Sequence, residues 1–257
     1  MKKNLKKYHV LALSVCAVAL MGTSSAKAEE GFTPAQKEEI NALVKDYIMN
    51  NPNVILDAVD KYQRGQQERV REEAETKLKE YLGYYQSEDL PVVGNPKGSV
   101  TVVEYFDYNC GYCKKAFDDL VKLLDEDKDL RVVFQDLPVL GPGSVVMARA
   151  SLASQNQGKY FELHRALMEY KGPRSEEAVL DVAKKIGLDV EKLKTDMQDP
   201  LVDLAIEKQR QMAASIGITG TPGFVIGEKM FPGYIGMEGL KTEIANAREA
   251  AAKKPQE

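Results

Sequence analysis

The spacing of apolar residues changes character twice along this chain. Between residues 34 and 62 it is helical, with Ile40, Leu43, Val44, Tyr47 and Ile48 on one stripe and Val54, Ile55, Ala58, Val59 and Tyr62 on a second. Thr33-Pro34-Ala35-Gln36 opens the first helix with a hydroxyl N-cap, proline at the first helical position, and a glutamine that closes a capping box. Asn50-Asn51-Pro52-Asn53 breaks the stripe, and Asn53 can cap the second helix. From Gln63 to Glu80 the chain is mostly charged, with a thin apolar line at Val70, Ala74 and Leu78. No glycine or proline interrupts Gln66 to Leu82, so this stretch predicts a solvated helix or a semi-rigid linker.

From Leu90 onward, short apolar runs alternate with helical patterns. Leu90–Val93, Val100–Phe106 and Leu130–Phe134 read as strands, with a helix over Lys114–Leu124 between the last two. That arrangement is a βαβ unit with a right-handed crossover. A helical block follows at Ser144–Gln155, Lys159–Tyr170, Ser175–Ile186, Asp189–Met197 and Val202–Ile216. Gly223–Ile226 and Met230–Tyr234 then pair as a hairpin around Gly227-Glu228, and a helix over Met237–Ala252 closes the domain. The predicted class is α/β, with an all-α region ahead of it at 29–89 and a helical insertion at about 140–217.

The first 28 residues read as a secretory leader. Lys2, Lys3, Lys6 and Lys7 form the basic end, Val10–Met21 the apolar core, and Ala26-Lys27-Ala28 the cleavage site. The core is shorter than the roughly 20 residues a permanent membrane span needs. A lipoprotein reading of Leu13-Ser14-Val15-Cys16 has bulky Val15 where a small residue belongs and too few apolar residues before it. Cleavage after Ala28 takes five of the 35 basic residues and none of the 39 acidic ones, leaving a net charge near −9. That balance argues against a nucleic-acid partner, which calls for a basic excess. Cleavage also removes Cys16 and His9, so Cys110, Cys113 and His164 are the cysteines and the histidine that remain.

Two short amphipathic helices and a charged rod cannot bury a self-sufficient core. Their apolar faces go either onto the same chain's α/β domain or onto a second protomer. The oligomeric stalk, dimer or trimer through residues 29–89, is the favoured reading.

Cys110-Gly111-Tyr112-Cys113 lies between the Val100–Phe106 strand and the following helix. A helix N-terminus favours the thiolate, and cysteines of C-x-x-C pairs at such sites ionise at roughly pH 3.5–7.5 against ~8.5 for free cysteine. The first thiolate attacks a disulfide and the second cysteine resolves the mixed disulfide. A structural staple across so short a loop would stabilise little. Structural zinc wants four ligands, and two cysteines with one distant histidine fall short. Two-coordinate Cu(I) on the paired thiolates needs no further ligand. His164, inside a helix, reads as a packing or hydrogen-bonding residue.

Val102–Cys113, then Val132-Val-Phe-Gln-Asp-Leu-Pro138, then Gly220-Thr-Pro-Gly-Phe-Val-Ile226 resemble the periplasmic DsbA-like thioredoxin-fold family. The resemblance covers about residues 90 to 250 and implies a thioredoxin fold with an inserted helical domain. The N-terminal extension is similar to that of the ScsC-like oligomeric subgroup. The resemblance implies that Cys110 attacks, Cys113 resolves, and Thr221-Pro222 is a cis-proline loop that pairs with substrate backbone. It implies further that Glu104 is a buried acid relaying a proton to or from the resolving thiol; the competing reading is an edge-strand glutamate facing water. Gly111 and Tyr112 complete the substrate-contacting set, and no cofactor is implied.

Strong oxidants of this family carry Pro-His between the cysteines, where this chain carries Gly111-Tyr112, the dipeptide of dimeric isomerases. Threonine before the cis-proline points the same way. The expected activity is thus thiol:disulfide exchange on exported proteins in the periplasm, chiefly as isomerase or reductase. The alternatives are a disulfide-introducing oxidase recharged by a membrane redox partner, and a Cu(I)-binding copper-tolerance protein.

Overall fold

The computed structural model describes residues 31–87 and 90–253, so the expected leader lies outside the described residues. Two units divide the chain between Val59 and Asp60. In the first, α1 (Pro34–Asn50) starts with the capping box that its sequence predicts. Gln36 N donates to Thr33 Oγ1 at 3.3 Å, and Thr33 N donates to Gln36 Oε1 at 2.9 Å. No residue of α1 is buried, and Leu43, Val44, Tyr47, Val54, Leu56 and Val59 are all exposed.

The charged rod departs from expectation at its end. Helix α2 runs unbroken over Asn53–Tyr85, and Leu78 and Tyr85 are buried. They pack with Val103, Tyr105, Val133, Leu137, Met212 and Val225 in the core on one face of the sheet. Tyr85 and Tyr105 share a hydroxyl hydrogen bond of 2.7 Å. Buried Arg131 donates to the carbonyls of Tyr85 and Ser87, supplying partners that a helix C-terminus otherwise lacks. Residues 78–85 are therefore part of the α/β body and not linker.

Among the described residues five strands form one sheet: β1 (Val92–Gly94), β2 (Val100–Phe106), β3 (Leu130–Asp136), β4 (Gly223–Ile226) and β5 (Lys229–Pro232). Their order is β1-β3-β2-β4-β5, which puts β2 at the centre, parallel to β3 and antiparallel to β4. Every residue of β2 and β3 is buried, which explains their nearly continuous apolar runs. On the second face, Val102, Phe106, Val132 and Phe134 meet α3 (Gly111–Glu126) and α9 (Gly236–Ala252) through Leu120, Leu123, Leu240 and Ile244.

The helical insertion comprises α4 (Pro142–Ala153), a 3-10 turn (Ser154–Gln157), α5 (Tyr160–Glu169), α6 (Glu176–Lys185), α7 (Val190–Asp196) and α8 (Pro200–Ser215). Strand β3 runs two residues further than its apolar pattern predicts, to Asp136, and α3 begins at Gly111 because Cys110 is its cap.

Docking of the α2 terminus has a measurable consequence. A chain starting at Thr76 keeps Leu78 and Tyr85 in place, whereas one starting at Leu90 loses both. By urea unfolding the second should be less stable by about 3–6 kcal/mol, the worth of two large buried side chains. Equal stability of the two would contradict the packing described here.

Candidate functional site

The centre of the site is the joint between β2 and α3, and a carboxylate holds that joint. Asp107 Oδ1 accepts from Asn109 N and Ser144 Oγ, both at 2.7 Å. Its Oδ2 accepts from Val139 N at 2.8 Å and Leu140 N at 2.9 Å. Asn109 donates to Ser144 Oγ at 2.8 Å and accepts from Arg174 Nε at 2.9 Å. The turn ahead of Cys110 is thus clamped to the loop after β3 and to the insertion. The sequence reading assigned none of Asp107, Asn109, Ser144 and Arg174. The available signal was the Asp-x-Asn run before a helix, typical of side chains that bond to their own turn.

Cys110 is the N-cap of α3. Its Sγ accepts from Cys113 N at 3.4 Å, and its thiol donates to Thr221 O at 3.3 Å. This sulfur therefore sits at the positive end of the α3 dipole. Cys110 retains 8% of its surface, whereas Cys113 has 0%. Burial pushes the Cys113 thiol far above its ordinary range, and the neighbouring Glu104 adds to the rise. Two sulfurs three residues apart are therefore chemically unequal.

The Thr221–Pro222 peptide is cis, and it directly precedes β4. Pro222 is buried and Thr221 half-buried, with the Thr221 carbonyl facing Cys110. Gly111 is exposed with open space around it. Tyr112 is 60% exposed, and its ring centre lies 6.0 Å from that of Tyr234. Tyr234 donates to Asp119 Oδ2 at 2.5 Å, which fixes its ring.

Glu104 sits on the central strand, paired with Phe134 on one side and Phe224 on the other. It is fully buried and neither carboxyl oxygen has a protein partner. The edge-strand alternative is thereby overturned. Burial raises its pKa well above the ordinary carboxyl range, and charge on Cys110 works in the same direction. His164 is fully buried among Phe106, Phe117, Phe134 and Tyr160, with Nδ1 2.9 Å from the Tyr108 hydroxyl. Burial pushes its pKa down to about 3, so it packs as a neutral ring. No group of three or more His, Cys, Asp or Glu side chains converges on a metal site among the described residues.

Residues 101–245 match the DSBA-like thioredoxin domain. The chain belongs to this family. Residues 36–69 match the family described as the copper resistance protein ScsC N-terminal domain. A thioredoxin-like oxidoreductase from Silicibacter pomeroyi is 42% identical, over 64% of this chain and 95% of that one, with a TM-score of 0.62. ScsC of Proteus mirabilis, in a linker-deletion and N6K mutant form, shares the fold with a TM-score of 0.63 at 23% identity, over 87% of this chain and 99% of that one. The Na(+)/H(+) antiporter NhaA 1 of Salinispora arenicola is 27% identical over 168 residues, 65% of this chain and 26% of that protein. The chain therefore spans about a quarter of the length of that curated relative. Among the described residues, no helix is long and apolar enough to cross a membrane.

The Glu104 environment sets a pH dependence. Above about pH 4.5, the ordinary range of a glutamate, the unfolded chain loses the Glu104 proton while the folded chain keeps it. Stability contributed below that pH is then lost as pH rises toward the folded-state pKa, by about 1.4 kcal/mol per pH unit. In Glu104→Gln that loss is absent, so the variant's advantage over wild type should widen between pH 5 and pH 8 in urea titrations of the reduced protein. Parallel stability profiles would contradict a buried, neutral Glu104.

Proposed function

We propose that this protein is a thiol:disulfide oxidoreductase of exported proteins, working mainly as isomerase and reductase. The observation that carries the reading is the inequality of the two sulfurs: one at a helix N-terminus, on a residue that keeps 8% of its surface, the other sealed beneath it. Cys110 thiolate attacks a client disulfide, a Cys110–client disulfide forms, and the displaced client sulfur leaves as thiolate. In isomerisation another client thiolate then attacks the client sulfur of that bond, releasing Cys110 with no net change in oxidation. In reduction Cys113 attacks Cys110 Sγ, the client leaves reduced, and the protein keeps the Cys110–Cys113 disulfide. Glu104 relays the Cys113 proton in that step: the carboxyl, neutral at rest, passes its own proton on as it takes up the one from the thiol, and the reverse step restores it. Thr221 and Pro222 line the path of the client backbone, and Gly111 and Tyr112 meet its side chains.

Three features favour isomerase and reductase over oxidase. No histidine stands between the cysteines to stabilise the thiolate. Threonine precedes the cis-proline. The exposed apolar faces of α1 and the start of α2 suit a dimer or trimer, which would hold several thiols over one misfolded client. A leader at 1–28, cleaved after Ala28, would deliver the protein to the periplasm, which suits exchange on exported clients. An oxidase recharged by a membrane redox partner is the alternative within this chemistry. The match of residues 36–69 to a domain named for copper resistance favours a second reading, Cu(I) held between Cys110 and Cys113.

The test is refolding of a scrambled multi-disulfide protein. The reduced full chain should rescue it and Cys110→Ser should not. A chain starting at Thr76, with the docked α2 terminus intact, should still reduce a model disulfide but lose most of the rescue. Equal rescue by that shortened chain would remove the oligomer from the mechanism. Oxidation of reduced clients without rescue of scrambled ones would favour the oxidase, and tight Cu(I) uptake without either activity would favour the copper reading.

A further inference from the structure

The charge distribution around the reactive sulfur differs from that of the chain as a whole. The protein is acidic, with 39 Asp and Glu against 35 Lys and Arg. The first turn of α3 nevertheless contains no acid and is followed directly by Lys114 and Lys115. That is the wrong sign for a helix N-terminus, where acids stabilise by about 0.3–1 kcal/mol each and cations oppose the dipole. Departures from a local rule of this kind collect at functional sites.

Beside this turn runs a groove of about 500 Å³, whose lining includes Lys114, Asp118, Glu169, Lys171 and Arg174. Lys114 is half-buried, and its ammonium donates to the carbonyls of Met168 at 2.6 Å and Tyr170 at 3.2 Å. Arg174 donates to Asn109 Oδ1 and to the Gly172 carbonyl, which anchors it next to the residue preceding Cys110. Lys115 stands 5.2 Å from the centre of the Tyr112 ring. None of these four cations has a carboxylate within ion-pair distance among the described residues. Burial holds Lys114 below its usual pKa, and Arg174 and Lys171 push it the same way, as crowded cations without a counter-ion do. Asp118 and Glu169 line the groove too, so the excess there is one positive charge before Lys115 and the helix dipole are added.

We propose that this unpaired positive edge is a client-selecting surface, and that it favours segments carrying Asp or Glu beside the target cysteine, with Lys115 and Lys171 as specificity-determining residues. The proposal rests on the exchange reading of Cys110 and adds its substrate class. A client segment whose cystine sulfur meets Cys110 passes the turn beside which these cations stand, where charge acts over about one screening length, ~10 Å at 0.1 M salt. Charge complementarity at that range acts on encounter and orientation more than on the chemical step. It also replaces the counter-ion that Lys114, Lys171 and Arg174 lack. Lys114 and Arg174 are held by backbone and turn contacts, whereas Lys115 and Lys171 are exposed and free to face a client.

The experiment compares two disulfide-bonded peptides that differ only in having Asp and Glu, or Lys and Arg, beside the cysteines. Reduction by the full chain is followed at about 20 mM and about 500 mM salt, and the readout is the ratio of the two kcat/KM values. A ratio cancels any misfolded fraction of a variant. For wild type at low salt it should favour the acidic peptide by about tenfold, mostly through KM, and approach one at high salt. In the Lys115→Glu, Lys171→Glu double variant the low-salt preference should vanish or invert. A wild-type ratio of one, or a preference that survives the double substitution, would overturn the proposal. Failure to turn over either peptide would overturn the exchange reading, and this inference with it.

Discussion

The structure depends on how a fully buried central strand hands the chain to a helix at the protein surface. Strand β2 has neighbours on both sides and cover on both faces, so its end is fixed in space. Asp107 then accepts four hydrogen bonds and closes the turn, and Cys110 caps α3. Because Cys113 lies one helical turn inside that cap, its sulfur points into the core while Cys110 keeps an opening. Difference in burial, from one rigid joint, makes the two sulfurs chemically unequal.

The same joint explains why the site tolerates groups that a core usually rejects. Glu104 is buried with both oxygens unpaired, and Asp136 at the end of β3 is in the same condition. Each unsatisfied buried group costs on the order of 1–3 kcal/mol, so their retention calls for a return elsewhere. On the proposed exchange mechanism, the return at Glu104 is its influence on a thiol that must lose and regain a proton. The apolar cover on both faces, including the docked end of α2, supplies the stability that offsets this.

Much of the fold was legible because β2 and β3 are read from both faces as unbroken apolar runs, and glycines and prolines punctuate the insertion. Cys110 and Cys113 were legible from the strand, turn and helix around them, and His164 from its place inside an apolar helix. The docking of α2 was not, since Tyr81, Tyr84 and Tyr85 follow a charged run and can face either water or core. Strand order was hidden too. Periodicity reports that a strand exists but not its neighbours, so a central and an edge Glu104 looked alike. The Asp107 clamp joins residues more than thirty positions apart, and no local pattern encodes such a partner.

Alkylation of the fully reduced protein, mapped by mass spectrometry at limited reaction, tests the inequality of the sulfurs most directly. The account predicts a single modification, on Cys110, with Cys113 modified only after unfolding. Equal labelling of both cysteines in the folded protein, or first labelling of Cys113, would contradict it.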